Sequence, residues 1–382
     1  MTKAHRLFAV ICAVAIWCQP AASQQTPAEL AAMAADRLDA AQAGHEAASG
    51  ARDRVDALTR TIRAYEDGLN AMRQGLRQAA LRERAIAAEF DATSDELSKV
   101  IAVLMNIQNA QGPLGVIHPS GPLGTARSGM IVADVTPALQ GRVDALKAKL
   151  GELATIRALQ EGAADQLQLG LQGAQTARAE LSKAIANRTD LPLRFTSDEQ
   201  AMANLANSAV DLQDFATGLL DMDLGPDIDD PVKPFRDAKG ELPLPTLGRV
   251  LRRFDEPDAA GIKRPGLILS AQAGGLVTAP WPSTIRYAGP LLDYGNVMIL
   301  EPEAGILMVL AGMEAMFGQV GQVVQPGAAL GLMGGEVPNA DTFLLNAESG
   351  AGSTQSESLY IEIRDGTTPT DPAPWFAATK ES

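Results

Sequence analysis

Val320-Gly321-Gln322-Val323-Val324-Gln325-Pro326-Gly327-Ala328-Ala329-Leu330-Gly331-Leu332-Met333-Gly334 sets glycines at tight corners between apolar positions. Glycine permits positive φ at such corners, so the stretch reads as short strands that turn sharply rather than as helix. The same grammar continues outward. Candidate strands at 284–288, 296–301, 306–310 and 359–364 are separated by the turn signals Ala279-Pro280-Trp281-Pro282, Tyr294-Gly295-Asn296 and Gln325-Pro326-Gly327. From about residue 247 onward this predicts an all-β sandwich or barrel-like domain of about 130 residues. Within it, residues 335–357 are polar, small and low in complexity, and read as a mobile surface loop.

Upstream the period changes. Val55, Leu58, Ile62, Tyr65, Leu69, Met72, Leu76 and Ala79 step by three and four, and Ile86, Phe90, Leu97, Val100, Leu104 and Ile107 resume after a break at Glu83. That is an a/d seam. One helix over 28–110 would be about 120 Å long at 1.5 Å per residue. Gly112-Pro113, His118-Pro119 and Gly121-Pro122 interrupt it, so 111–134 reads as a connector. A second seam over 135–190 carries Leu139, Val143, Leu146, Leu150 and Leu153, slips near Ile156, and resumes as Leu167, Leu171, Ala174, Leu181 and Ile185. Breakers between two seams predict an antiparallel hairpin over 24–192, with a parallel homodimer as the alternative. A shorter helix is expected over 197–222, with Ser197 and Gln200 as a capping box and Leu205, Leu212, Phe215, Leu219 and Met222 as one apolar stripe. Residues 223–246, with Asp227, Asp229, Asp230, Pro231, Pro234, Pro243 and Pro245, read as an acidic linker that closes the 193–246 region.

The 382 residues are 46% hydrophobic and 4% aromatic, and 32 basic against 46 acidic side chains give a net charge of −14. The apolar fraction argues against a disordered chain, and the negative field against nucleic acid as a partner. Lys3 and Arg6, the apolar run 7–17, Pro20 and the small residues Ala21-Ala22-Ser23 have the pattern of a signal peptide, with cleavage expected after Ser23. The apolar run is shorter than the ~20 residues of a span. Losing Lys3 and Arg6 takes the charge from −14 to −16, and Cys12 and Cys18 leave with them. A thiol-free exported chain suits an oxidising compartment.

Residues 261–376 resemble the LytM-type, lysostaphin-like zinc metallopeptidases. The resemblance rests on Pro265-Gly266-Leu267-Ile268, on Tyr294-Gly295-Asn296-Val297-Met298-Ile299, on the glycine corners of 321–334, on Ser358-Leu359-Tyr360-Ile361-Glu362-Ile363-Arg364, and on Asp371-Pro372-Ala373-Pro374-Trp375-Phe376. Peptidases of that type hold zinc with a His and an Asp near the domain start and a His in a late His-x-His motif, and a further His assists. The corresponding positions here read Arg264, Ile268, Ser358, Tyr360 and Gly312. Zinc takes imidazole nitrogen, carboxylate oxygen or thiolate. The chain has three histidines, His5, His45 and His118, all upstream of this region. The resemblance therefore implies a degenerate, non-catalytic domain, with no catalytic residue, metal or cofactor.

A signal, a heptad hairpin and a degenerate LytM domain, in that order, resemble the EnvC-type murein hydrolase activators. That resemblance implies a periplasmic protein that switches on N-acetylmuramoyl-L-alanine amidases at the division septum, with its hairpin engaged by the extracytoplasmic loop of the FtsEX complex and peptidoglycan as a further candidate partner. It makes the vacated cleft an amidase groove. Ile268 would give apolar contact there, Tyr294 and Tyr360 rigid amphipathic area, and Arg364 a partner for an acidic group. It also makes helix 197–222, through Leu205, Leu212, Phe215 and Leu219, an autoinhibitory cover. The long polar loop and the acidic linker depart from the familiar members. The sequence leaves open a peptidoglycan-binding scaffold, a periplasmic efflux adaptor and an active zinc endopeptidase.

Overall fold

The computed structural model describes residues 27–48, 50–109, 121–187, 199–220, 233–259, 261–339, 342–343, 345 and 356–379. The expected signal peptide, Ser197 and Met222 lie outside them. Among the described residues, the N-terminal part is α1 (Pro27–Ala47), α2 (Ala51–Asn109) and α3 (Gly121–Ala186). No helix there is long and apolar enough to cross a membrane.

The helix expected over 28–110 is two helices. α1 lies antiparallel on the start of α2, with Arg37 paired to Asp67 and Gly44 beside Arg60. Gly50 opens α2, its carbonyl accepting from the Arg54 N–H at 3.1 Å. The reversal has a physical reason in the sequence. Ala57, Ala64 and Ala71 are buried on the same stripe as Arg60 and Asp67. These small side chains give α1 a seam of its own, and glycine is a poor residue inside a helix.

The other stripe of α2 packs on α3. Val55, Leu58, Ile62, Leu69 and Leu76 are buried, as are Leu167, Leu171, Ala174 and Leu181. The Tyr65 ring lies over Gly173, where a Cβ would stand 2.4 Å from the ring. Arg82 with Glu152 (2.7 Å), Arg157 with Glu83 (3.1 Å) and Lys149 with Glu89 run the two helices antiparallel. Two expectations change. α3 begins at Gly121 rather than 135, because a proline in the first helical turn is tolerated, so Gly121-Pro122 starts a helix instead of breaking one. The seam of 139–153 is only part-covered, with Val143 and Leu150 exposed, and exposed ion pairs bridge the two helices in that stretch.

The helix expected over 197–222 is α4 (Glu199–Ser208) and α5 (Leu212–Leu220). Asp211 breaks it: its Oδ1 accepts from the Asp214 N–H at 2.8 Å, capping α5.

The C-terminal part is an antiparallel sheet of β1 (Gly248–Arg252), β2 (Leu267–Gln272), β3 (Leu276–Thr278), β4 (Ser283–Pro290), β5 (Asn296–Glu303), β6 (Ile306–Met316), β7 (Val323–Val324), β8 (Ala329–Met333), β9 (Ser356–Asp365) and β10 (Thr368–Thr370). The strand order is β1-β2-β9-β6-β5-β4-β7; β10 adds to β9, β8 to β6 and β3 to β8. Side chains alternate between two faces. Leu267, Leu269, Met298, Leu300, Met308, Leu310, Leu359, Ile361 and Ile363 build one core with Phe235, Trp375 and Phe376. Ile268, Val297, Ile299, Leu307, Val309 and Tyr360 line the other face.

Two segments expected to be solvated contribute to packing. Phe235 and Leu242, read from sequence as linker, are buried; Phe235 stacks on Trp375 at 4.4 Å, and the Leu242 N–H donates to the Trp375 carbonyl at 3.1 Å. In the expected loop of 335–357, Phe343 is buried against Leu69, Leu76, Leu167 and Leu171, with the Arg73 guanidinium 4.5 Å over its ring. Ser356 and Glu357 already belong to β9. Residues 346–355 lie outside the described part.

The hairpin base sits on the β domain through Val55, Leu58, Ile62, Ala177 and Leu181 against Leu276 and Phe317. Buried Glu66 ties three elements together: its Oε1 accepts from Arg178 of α3 and from the Leu276 N–H of β3, both at 2.9 Å. Arg63 donates to Thr278 Oγ1 beside it.

Candidate functional site

The second face of the sheet gathers the residues that the sequence singled out. Ile268 on β2 pairs across the ladder with Tyr360 on β9. Tyr294, in the turn before β5, sets its ring 5.7 Å from that of Tyr360 at 46°. Arg264 lies 5.5 Å over the Tyr294 ring, a cation–π contact. Ile268, Tyr294, Tyr360 and the cover residues Leu205, Leu212, Phe215 and Leu219 form one apolar cluster.

α5 fills the middle of this face. Phe215 is wholly buried and meets Tyr287 edge-on at 4.7 Å and 70°. Leu212, Ala216 and Leu219 complete its stripe, at the i, i+3, i+4, i+7 spacing that puts them on one side of a helix. α4 braces α5 from outside: a Cβ on Gly218 would come within 2.3 Å of Leu205 Cδ1.

Arg364 is not at a rim. It is 1% exposed and donates to Glu362 Oε1 and to the Thr367 carbonyl. Glu362 Oε2 accepts from the Tyr360 hydroxyl at 2.6 Å. Alternation along β9 puts Tyr360, Glu362 and Arg364 on one face, so the strand builds its own buried network. In this arrangement the Arg364 charge is spent inside the chain rather than offered to an acidic partner. Burial first, and Glu362 next, push the Tyr360 phenol far above its usual range, so it stays protonated as a donor.

A second buried pair was not singled out from sequence. Arg286 of β4 donates to Glu301 Oε2 of β5 at 2.8 Å and to the Leu219 carbonyl of α5. The sequence did carry signals for both networks. Glu362 sits midway between two flagged residues at strand spacing, and Arg286 is a charge inside an otherwise apolar predicted strand.

The donor set does not fit zinc. Arg264 is a cation, Ile268 is apolar, Gly312 has no side chain, Ser358 is a neutral hydroxyl, and Tyr360 keeps its proton and donates it in a hydrogen bond to Glu362. Both Glu362 oxygens are committed to Tyr360 and Arg364. Among the described residues, no group of three or more His, Cys, Asp or Glu is placed to hold a metal.

Residues 263–372 match the model of Peptidase family M23. The C-terminal domain is an M23, LytM-like domain. The chain is similar to an uncharacterized protein of Haemophilus influenzae (strain ATCC 51907 / DSM 11121 / KW20 / Rd), 27% identical over 138 residues, 36% of this chain and 30% of that protein. Solved structures similar to it include Helicobacter pylori Csd3 (19% identity, 35% of this chain and 34% of that one, TM-score 0.27). A zinc containing peptidase from Vibrio cholerae is similar at 15% identity, over 35% and 38% of the two chains, with a TM-score of 0.27. The catalytic domain of lysostaphin from Staphylococcus simulans is similar at 18% identity, over 34% and 91%, with a TM-score of 0.27. The match thus spans about a third of the Haemophilus protein and of Csd3.

Proposed function

We propose that the protein is a non-catalytic activator of peptidoglycan amidases, working in the periplasm during septal cell-wall splitting. Its M23 groove binds an N-acetylmuramoyl-L-alanine amidase, and its helical hairpin engages the FtsEX complex. The observation that carries this reading is the make-up of the groove face. Arg264, Ile268, Ser358 and Tyr360 stand where the resemblance places zinc chemistry, and they offer no ligand set. A face built of Ile268, Tyr287, Tyr294 and Tyr360 is suited to holding an apolar helix stripe, and α5 of the same chain occupies it. Tyrosine-rich surfaces of this kind supply binding energy at protein interfaces.

In this reading α4 and α5 are a tethered competitor. A tether raises the effective concentration of α5, so the amidase enters only when the docked population falls. The hairpin base touches the same β domain through Glu66, which gives movement of the hairpin a route to the sheet.

The experiment is dye release from labelled peptidoglycan sacculi with the purified protein alone, an amidase alone, and both together. Release only from the mixture supports the reading. Release by the protein alone, or no gain over the amidase, overturns it.

A further inference from the structure

The groove has a polarity that its apolar lining does not explain. Arg286 is 4% exposed on its side chain and stands among apolar residues of β4 and β5. Glu301, 7% exposed, balances its charge, and Glu301 is itself held by the Gly305 N–H at 3.3 Å. One guanidinium nitrogen goes to Glu301. A second goes to the Leu219 carbonyl in the last turn of α5. The final four carbonyls of any helix lack an intrahelical partner, and that end carries the negative pole of the helix dipole. A buried cation at this point therefore satisfies a helix C-terminus and nothing else on α5.

We propose that Arg286 sets the direction in which the groove accepts a helix, so that a partner's amphipathic helix must lie as α5 does, with its C-terminal carbonyls at β4. This rests on the proposed function, in which a partner helix replaces α5. A helix entering the other way round would bring its N–H groups to Arg286. Two sets of donors would then face each other, and the buried Arg286 Nη2 would lose its acceptor while Nη1 kept Glu301. The spacing of the apolar stripe alone does not impose this choice, because steps of three, one and three from Leu212 through Phe215 and Ala216 to Leu219 are the same in either direction. The pair with Glu301 keeps the arginine in place while one occupant leaves and the next arrives.

The test uses the full-length chain with Phe215→Asp, which puts a charge into the apolar face and frees the groove from its tethered cover. Two labelled peptides are titrated by fluorescence anisotropy, residues 199–220 and the same residues in reversed order. The reversed peptide is expected to bind roughly 10-fold more weakly. That gap should close to within about 2-fold when Arg286→Met and Glu301→Met are added together, a change that strands no charge. Equal affinities before that change, or a gap that survives it, overturn the inference while leaving the groove reading intact. Failure of both peptides to bind removes both. A second measurement avoids the Phe215→Asp background. In the otherwise unaltered chain, Arg286→Met with Glu301→Met should speed amide exchange in the last turn of α5 about 10-fold and leave β5 and β6 unchanged. Unaltered α5 exchange overturns the inference.

Discussion

Replacing Phe215 by alanine separates a detachable cover from a piece of core. The ring is fully buried and packs edge-on against Tyr287. Truncating a buried phenylalanine costs about 3–5 kcal/mol, including the edge-to-face contact. If α5 docks and undocks on its own, that loss falls on the docking equilibrium, and 1.4 kcal/mol is a factor of ten. Taking the lower part of the range, because the thin α4–α5 layer can settle into the space, the undocked population rises by roughly 10² to 10³. Native-state hydrogen exchange reads this directly, since segments that open locally exchange faster than the strands beneath them. In Phe215→Ala the α5 amides should exchange about 10² to 10³ times faster, while those of β5 and β6 keep their protection. With an amidase present, the same variant should release more dye from sacculi than the parent. A uniform loss of protection across α5, β5 and β6 would refute the reasoning, since it would make Phe215 an inseparable part of the sheet's core. Unchanged α5 protection would refute it from the other side.

Two further outcomes follow from the geometry. Gly312 has φ of +102° and faces the Ser358 carbonyl, where a Cβ would stand at 2.4 Å. Gly312→Ala should therefore cost at least about 2 kcal/mol, seen as a lower urea midpoint with an unchanged slope, and an unmoved midpoint would reject that close approach. Burial raises the Glu66 carboxyl above its ordinary value, against the pull of Arg178, the Leu276 N–H and Arg63. A carboxyl raised in the folded state contributes fully below its free value of about 4.3, and the contribution is lost as pH rises through the raised value. Protection of the Leu276 amide, corrected for intrinsic exchange, should fall as pH rises through that window in the parent chain and stay flat in Glu66→Gln. The same slope in both would rule Glu66 out as the titrating group.

Much of the groove could be read from residues alone because strands alternate. Once 359–364 is a strand, Tyr360, Glu362 and Arg364 must share a face. What that face touches is a different matter. Arg364 reads in sequence as a groove residue free to pair with an acidic partner, and it is buried with its charge paired to Glu362, two residues away. Arg286 and Glu301 are fifteen residues apart and become partners only through the β4–β5 register. The capping aspartate that splits 197–222 is a single residue, and a stripe of leucines reads across it. Phe235 and Phe343 looked solvated because their neighbours are polar, while the surfaces that cover them come from distant parts of the chain.

Local chemistry was enough to establish a helical N-terminal part and a β C-terminal part, because hydrophobic period and glycine corners are properties of neighbouring residues. It also established the lack of histidine from residue 119 onward, because composition needs no coordinates. Tertiary structure decided the rest: that α1 folds back along an alanine seam, that α5 lies on the sheet, and that buried Arg286 meets its Leu219 carbonyl. Each of these depends on contacts between segments far apart in the chain, whose free energy comes from burial and pairing that no local window contains.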